Sequence, residues 1–384
     1  MQDVRVLDQK HGNGWSMYNG DCVEVTKGIP DNSVGLQVFS PPFSNLYMYS
    51  SSQRDMGNCA DDEEFFEHYN FLVPELYRIL RPGRLCCVHC KDIVQYAGTS
   101  GRAGLRDFPG ELIRVHQKHG FMLHSRVAIW KDPVLEMQRT KAHGLLYKQL
   151  RKDSTFSRQG LSEYVLVFRK WAKEGEEIEP VTHIEQDFPL DQWQKWASPA
   201  WTTNEGEEEN AKFLMESLPV WRHVEQTNVL NVQQARDADD EKHICPLQLD
   251  LIERCVRLWS NPGDVVFSPF GGIGSEPVTA VKCGRKAIAI ELKPQYFKVA
   301  LKNLDASNRQ LGLFESVAPP AKSEPAQLEL SAPATTKPKK SRSKKSQAQI
   351  DGEAKAAADN KLAETIGDAA FDWCRDDDDE RETP

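Results

Sequence analysis

Two short stretches of this 384-residue chain carry residue types that can do chemistry. The first is Ser40-Pro41-Pro42-Phe43, which follows an apolar, strand-like run from Ser33 to Phe39. Two consecutive prolines fix φ and remove two backbone donors, so the chain leaves the sheet there as a rigid, extended loop. Such a loop presents a carbonyl and a hydroxyl to a flat polar group, with an aromatic ring beside them: a cradle for a nucleobase amino group. Taken alone, the same tetrapeptide also reads as punctuation after a strand. The second stretch runs from Asp264 to Ser275, a strand entering a loop with Gly271, Gly272 and Gly274. Those glycines permit positive φ and close backbone approach. A helix is predicted from about Glu276 to Lys282, closed by Cys283-Gly284-Arg285, and then an apolar strand from Lys286 to Ile290 that ends at Glu291. A carboxylate at the tip of the second strand of a βαβ unit, about 20 residues past the glycines, suits a ribose diol. A nucleoside-containing cofactor is the expected ligand; the bland alternative is a tight strand–helix turn with a solvated glutamate.

Together these residues carry a family resemblance. The chain resembles the S-adenosyl-L-methionine-dependent DNA amino-methyltransferases that act on cytosine N4 or adenine N6. Ser40 to Phe43 is similar to that family's catalytic tetrapeptide, (Asp/Asn/Ser)-Pro-Pro-(Tyr/Phe). Phe267, Ser268, Pro269, Phe270, Gly271, Gly272, Gly274 and Ser275 resemble its methionine-side glycine loop, and Glu291 its ribose acid. Asn19-Gly20-Asp21-Cys22 resembles the segment that meets the cofactor adenine. The segment from His243 through Pro246 to Gln248, with the apolar helix expected from Leu249 to Trp259, resembles the one lining the methionine end. The catalytic motif precedes the cofactor motif, which is the order of the circularly permuted beta group. The resemblance spans about Val6 to Leu304. It implies an α/β, Rossmann-like methyltransferase fold, circularly permuted, with a mostly parallel sheet and helices on both faces. In one respect the chain departs from the pattern: the loop usually begins Asp-Pro-Phe, and Ser268 stands in the acid's place. A serine cannot pair with the methionine ammonium, so backbone carbonyls or the 243–248 segment would have to supply that contact.

Ligands of such sheets bind at the carboxyl ends of the strands, so two motifs roughly 230 residues apart can end neighbouring strands. The implied chemistry needs a target base extruded from the duplex, because its amine is otherwise paired and buried. Phe43 would stack on that base, while Ser40 Oγ and the Pro41 carbonyl accept hydrogen bonds from the amine. Ser40, un-ionised at neutral pH, is expected to position the amine and stabilise its developing charge rather than act as a base. Within the family, serine at the first motif position is commoner among cytosine-N4 enzymes, so cytosine N4 is favoured over adenine N6. An RNA or small-molecule methyltransferase on the same scaffold, and a non-catalytic nucleic-acid-binding protein with a decayed fold, are the readings from other classes.

The elements that must hold these residues follow from apolar periodicity. Val4 to Tyr18 should include an edge strand, and Asp21 to Lys27 a short helix before an Asp31-Asn32 turn. Glu63 to Ile79 has helical spacing, with Phe65, Phe66, Tyr69, Leu72, Leu76 and Ile79 on one face, stopped by Arg81-Pro82-Gly83. A strand from Arg84 to Cys90, a helix from Leu112 to His119, and strands from Phe121 to Trp130 and Tyr164 to Phe168 complete the scaffold. Cys86-Cys87-Val88-His89-Cys90 hints at zinc, but alternate strand residues point to opposite faces, so buried thiols are expected and no metal. Arg139, Lys141, His143, Lys148, Arg151, Lys152 and Arg158 cluster with Tyr147 and Phe156 interleaved, a stretch suited to phosphates and guanine edges. Residues from about 171 to 240 read as an irregular extension. Its Trp193, Trp196, Trp201 and Trp221 offer base-stacking platforms, with small-core anchoring the favoured expectation.

A net charge of −9 argues against a general DNA-coating protein and leaves a site-specific enzyme open. With 39% hydrophobic residues, no apolar run long enough to span a bilayer and no apolar leader after Met1, the expectation is a cytoplasmic protein. Nine cysteines without a regular framework agree with a reducing compartment. Residues 1–314 are expected to form the methyltransferase domain, with DNA-contacting elements within about 135–240. Residues 315–384, rich in Ala, Pro, Ser and Lys, read as a disordered tail. The partner is double-stranded DNA; the oligomeric state is not legible.

Overall fold

The computed structural model describes residues 6–314, apart from 45–54, 130, 132–136, 138–146, 157–159, 186–187, 198–219, 222–227 and 231–245. The expected tail, 315–384, lies outside the described residues. The chain opens with a hairpin, β1 (Val6–Gly12) and β2 (Trp15–Gly20), turned at Gly14, whose φ is 76°. As expected, this run includes an edge strand, β1. β2, its hairpin partner, is almost wholly buried and pairs in parallel with a strand near the far end of the described chain. Helix α1 (Cys22–Thr26) follows, then β3 (Val34–Phe39), all six of whose residues are buried. A strand buried on both faces is what a parallel interior position demands.

Helix α2 (Asp62–Ile79) is capped by Asp61, carries three acids in its first turn and buries Phe65, Tyr69, Leu72, Val73, Leu76 and Ile79. The Arg81-Pro82-Gly83 segment does not separate it from the next strand. β4 (Leu80–Lys91) begins at once, and its pairing with β3 jumps from Val34↔Leu80 to Leu36↔Leu85. The extra residues form a bulge, with Gly83 at φ 77°. That bulge aims Arg81 and Arg84 at Asp264, which accepts at 3.1 and 2.9 Å. β5 (Ile93–Gln95) and β6 (Gly104–Arg106) form a separate small sheet around α3 (Ala97–Ser100). Next come α4 (Phe108–Lys118), β7 (Phe121–Ile129), α5 (Tyr147–Lys152) and β8 (Glu163–Lys170).

Within the stretch expected to be irregular, α6 (Leu190–Ala197) and β9 (Val220–Trp221) are ordered, and β9 extends the sheet beside β7. Trp196 packs on Phe188 and under Arg254, while Trp193 is exposed; Trp201 lies outside the described residues. The chain ends its described course with α7 (Leu249–Trp259), β10 (Val265–Ser268), α8 (Ser275–Lys282), β11 (Lys286–Glu291) and α9 (Pro294–Phe314).

The main sheet runs β1-β2-β11-β10-β3-β4-β8-β7-β9, with β2, β11, β10, β3 and β4 mutually parallel. β10 lies against β3 (Val266↔Leu36, Phe267↔Gln37), so the two motifs do end neighbouring strands. One face packs on α7, α8 and α9 through Leu251, Cys255, Val278 and Phe297; the other on α1, α2 and α4 through Val25, Phe65, Leu72 and Leu112. Alternation along β4 sends Cys87 into the first core and Cys86, Val88 and Cys90 into the second. No helix among the described residues is long and apolar enough to cross a membrane.

Candidate active site and cofactor cleft

A cleft of about 1120 Å3, open mouth included, lies at the carboxyl ends of β2, β11, β10 and β3. Its wall includes all four of Ser40, Pro41, Pro42 and Phe43, and Pro269, Phe270, Gly271, Gly272, Ser275 and Glu291 from the glycine loop and its partner strand. Pro246 and Leu247 close the side next to α7; His243 lies outside the described residues. Phe267 and Ser268 are buried, and neither is part of the wall: Phe267 is a core residue, and the Ser268 hydroxyl has no hydrogen-bond partner. Gly274 likewise stands behind the wall, capping α8 at φ 95° against Ala300. Asp21 is flanked by the wall residues Gly20 and Cys22, but its Oδ1 caps α1, accepting from the N–H groups of Val23 at 2.8 Å and Glu24 at 3.2 Å. Burial, with Asp21 adding to it, pushes the Cys22 thiol well above its ordinary range.

Glu291 is held by backbone. Its Oε2 accepts the Gly272 N–H and its Oε1 the Lys293 N–H, each at 2.8 Å. Burial raises its pKa to about 7 against the pull of those two donors. Gly271 allows close approach: a Cβ there would lie 2.9 Å from Met17 Cε and 3.1 Å from the Ile290 carbonyl, tighter than ordinary contact. Two further acids on the wall were not singled out by the sequence motifs. Asp55 caps the short turn Met56–Asn58. Glu276, at the start of α8, is buried, and desolvation with the like charge of Glu291 raises it to about 8. Beside it the buried Ser275 hydroxyl has no hydrogen-bond partner. The basic residue on this wall is Lys293, whose ammonium lies over the Tyr296 ring at 4.4 Å. An acid-rich cleft of this kind favours a cationic occupant.

At the other end of the cleft, the Phe43 ring packs edge-on against Phe108 and His89, with centroids 5.9 and 6.4 Å away, and Lys91 Nζ lies 5.7 Å from it. Ser40 Oγ is 3.2 Å from His89 Nδ1, and His89 Nε2 is 3.0 Å from Glu163 Oε2. Lys131 Nζ lies 2.8 Å from the same oxygen. Burial would raise the Glu163 carboxyl, but the His89 hydrogen bond and charge, with the Lys131 ammonium, hold it well below the usual carboxylate range. The sequence signal for His89 was its place near the carboxyl end of a strand next to the tetrapeptide's own, on the face opposite Cys86 and Cys90.

Of the basic cluster, Lys148, Arg151 and Lys152 are exposed on α5, and Phe156 is exposed just beyond it. Arg139, Lys141, His143 and Arg158 lie outside the described residues. Tyr147 opens α5.

Residues 34–302 match the family model described as DNA methylase, N6/N4 type. The chain is 24% identical over 286 residues to the type II methyltransferase M.BglII of Bacillus subtilis, covering 74% of this chain and 67% of that one. To M.BglI, also of Bacillus subtilis, it is 23% identical over 325 residues, covering 76% and 85%. A shorter match, 36% over 83 residues, covers 21% of this chain and 28% of the DNA adenine methyltransferase YhdJ of Escherichia coli. Among solved structures, it is similar to the cytosine-N4-specific PvuII DNA methyltransferase, with 18% identity, a TM-score of 0.46, and coverage of 80% of this chain and 97% of that one. The family model spans well over half of the chain, and the chain therefore belongs to the DNA methylase family, the S-adenosyl-L-methionine-dependent enzymes that methylate adenine N6 or cytosine N4 in DNA.

Proposed function

We propose that the protein methylates cytosine N4 at specific sites in double-stranded DNA, using the cleft at the ends of β2, β11, β10 and β3. The observation that carries this is the convergence on one wall of Ser40 and Phe43, from one end of the chain, with the Gly271–Gly272 turn, Glu276 and Glu291 from the other. S-adenosyl-L-methionine fits the residues present. It carries a sulfonium and an ammonium, and the wall offers Asp55, Glu276 and Glu291 with an orphaned Ser275 hydroxyl. When bound, it supplies an electrophilic methyl group. Glu291, already fixed by two backbone donors, would take the ribose hydroxyls; Gly271 and Gly272 let the backbone come close. Glu276 would provide the negative charge that Ser268 lacks, for the methionine ammonium. Gly20 and Cys22 flank the expected adenine end, and Pro246 with Leu247 the methionine end.

The target base must leave the duplex to reach this cleft. Phe43, braced edge-on by Phe108 and His89, would stack on it. Ser40 Oγ and the Pro41 carbonyl would hold the amine in line for attack, a contribution from position and preorganised dipoles. Exposed Lys148, Arg151 and Lys152 on α5 are the described members of the stretch proposed to meet phosphates; Arg139, Lys141 and Arg158 complete it by sequence. Residues 1–314 would be the catalytic domain. The similarity to type II methyltransferases suggests a role in DNA modification of the restriction–modification kind.

The choice of cytosine N4 rests on serine at the first motif position. Adenine N6 is the second reading, favoured by the match to an adenine methyltransferase. Nucleoside mass spectrometry decides between them. Purified protein is incubated with unmethylated genomic DNA and methyl-labelled cofactor, and the DNA is digested. Labelled N4-methylcytosine is expected. Labelled N6-methyladenine overturns the base assignment alone, and no label in DNA overturns the reading.

A further inference from the structure

The tetrapeptide serine is the outer end of a buried ionic chain. Lys131 and Glu163 are an ion pair of low exposure, and His89, also buried, bridges Glu163 to Ser40. Burying two charges costs free energy that their attraction alone seldom recovers, so such a chain beside a cleft wall asks for a role beyond packing. The protonation pattern follows from the partners. Glu163, held ionised, can only accept hydrogen bonds. His89 Nε2 is therefore the donor to Glu163 in either charge state of the ring, and in the neutral form the single proton sits there. Nδ1 is left as an acceptor, 3.2 Å from Ser40 Oγ. The hydroxyl hydrogen of Ser40 is directed to Nδ1; its other acceptor within reach, the His89 carbonyl, is farther at 3.4 Å. The oxygen lone pairs of Ser40 remain for a donor in the cleft. Hydroxyl, imidazole and carboxylate in this order form an arrangement in which a hydroxyl can accept one proton while passing its own to the ring.

We propose that His89, oriented by Glu163 and Lys131, is the positioning residue that lets Ser40 accept the proton released by the target amine, an inference that rests on Ser40 being the amine's partner. The balance is simple. The amine nitrogen forms its bond to the methyl carbon with its own lone pair, the methyl–sulfur bond breaks, and that bond's electron pair stays on sulfur. The nitrogen now carries one hydrogen too many. Its N–H bond breaks, the pair returns to nitrogen, and the proton passes to Ser40 Oγ as the serine's own proton moves to His89 Nδ1. The imidazolium so formed faces the Glu163 carboxylate, and its proton then passes to solvent. Ser40 ends the cycle as it began. This assigns proton transfer to a serine that is, on its own, too weak a base for it.

Other titratable groups near the imidazole bear on the pH dependence. Glu163 faces Nε2 from β8, and Lys131 lies behind it, just after β7. Phe43 covers the ring edge with Lys91 above it. Asp92, Asp107 and Arg126 gather with Glu163 around neighbouring Cys90. Protonation of His89 removes the acceptor, so the transfer rate should fall toward low pH.

The test is single-turnover methyl transfer to DNA by the full-length protein, measured across pH, with cofactor affinity measured separately by calorimetry. Wild type must first transfer label to DNA; if it does not, the proposed function fails and the relay with it. Given wild-type transfer, His89→Asn should slow the chemical step by about a hundred- to ten-thousand-fold, leave cofactor affinity unchanged and abolish the acid limb of the profile. Glu163→Gln should slow it less. Ser40→Ala combined with His89→Asn should be no slower than Ser40→Ala alone, since groups acting as a unit are not additive. Added imidazole should partly restore His89→Gly. A His89→Asn rate equal to wild type, an unchanged acid limb, or full additivity with Ser40→Ala overturns the relay. If the His89 variants fail to fold, the wild-type profile still decides: a rate independent of pH on the acid side refutes the relay, and an acid limb with a solvent deuterium effect supports it.

Discussion

Replacing Glu276 by Gln tests how the cleft handles charge. In the free protein, burial and Glu291 raise the Glu276 carboxyl to about 8. At pH 7 it is therefore about nine-tenths protonated, and binding a cation beside it should expel about 0.9 of a proton. The sign is fixed: a group protonated when free and ionised when bound makes affinity rise with pH and level off above the free pKa. For a free pKa of 8, the titration of Glu276 alone should weaken the wild-type dissociation constant about 75-fold between pH 8.5 and pH 6, roughly 2.6 kcal/mol. The Gln variant lacks this titration. At pH 8.5 it should bind the cofactor about 10- to 100-fold more weakly than wild type, the worth of a hydrogen bond to a charged group. By pH 6 that gap should have closed or reversed by several-fold, since wild type has lost its charge as well. Glu291, raised to about 7, titrates in both and largely cancels from the ratio. Calorimetry in buffers of different ionisation enthalpy reads affinity and proton count together. Parallel pH curves for the two proteins, or equal proton release at pH 7, would show that Glu276 does not meet the cation.

Three further outcomes follow from the same geometry. Gly271→Ala puts a Cβ against Met17 and the Ile290 carbonyl, so the loop must move; cofactor affinity should drop with a stability loss of about 1–3 kcal/mol, checked by calorimetry and thermal unfolding. Asp264→Ala leaves the buried Arg84 with only the exposed Glu179, 3.3 Å away, and takes one of two acids from Arg81 in the bulge of β4; a loss of up to about 3–5 kcal/mol is expected in denaturant unfolding, and a change below about 1 kcal/mol would refute the tie. Replacing Lys148, Arg151 and Lys152 by Ala should lower the slope of log affinity against log salt by up to about 2.7. An unchanged slope in fluorescence anisotropy would remove α5 from the DNA interface.

Much of the fold was legible because its signals are local. The apolar spacing of α2, the bounds of α7 at Leu249 and Trp259, and the strand–glycine–helix–strand run ending at Glu291 each lie within one short window. Even the adjacency of β3 and β10 followed from the rule that ligands collect at strand ends. Where the reading failed, punctuation was taken at face value. Pro82 and Gly83 looked like a stop between helix and strand and are a bulge inside the strand. The Asn13-Gly14 pair is a hairpin signal, and it turns β1 into the buried β2. The chemistry around Ser40 was hidden for a different reason. His89 lies 49 residues from Ser40, and Glu163 lies 74 from His89, so no local pattern joins them. Glu276 looked like an ordinary first-turn acid of a helix, and only its burial on the cleft wall gives it another meaning.

The order of strands has a consequence for biosynthesis. β10 and β11, the last strands in chain order among the described residues, occupy the middle of the main sheet, between β2 and β3. Until they emerge, β2 and β3 each present a bare apolar border with unmet hydrogen-bonding groups, the kind of surface that invites wrong partners. The nascent chain therefore cannot close its sheet piecemeal. It must wait, and then insert a central β-α-β unit between β2 and β3. Long-range pairing of this kind folds slowly. Under the proposed roles of Glu276 and Glu291, it also keeps the incomplete protein chemically silent, since both acids arrive with that insertion.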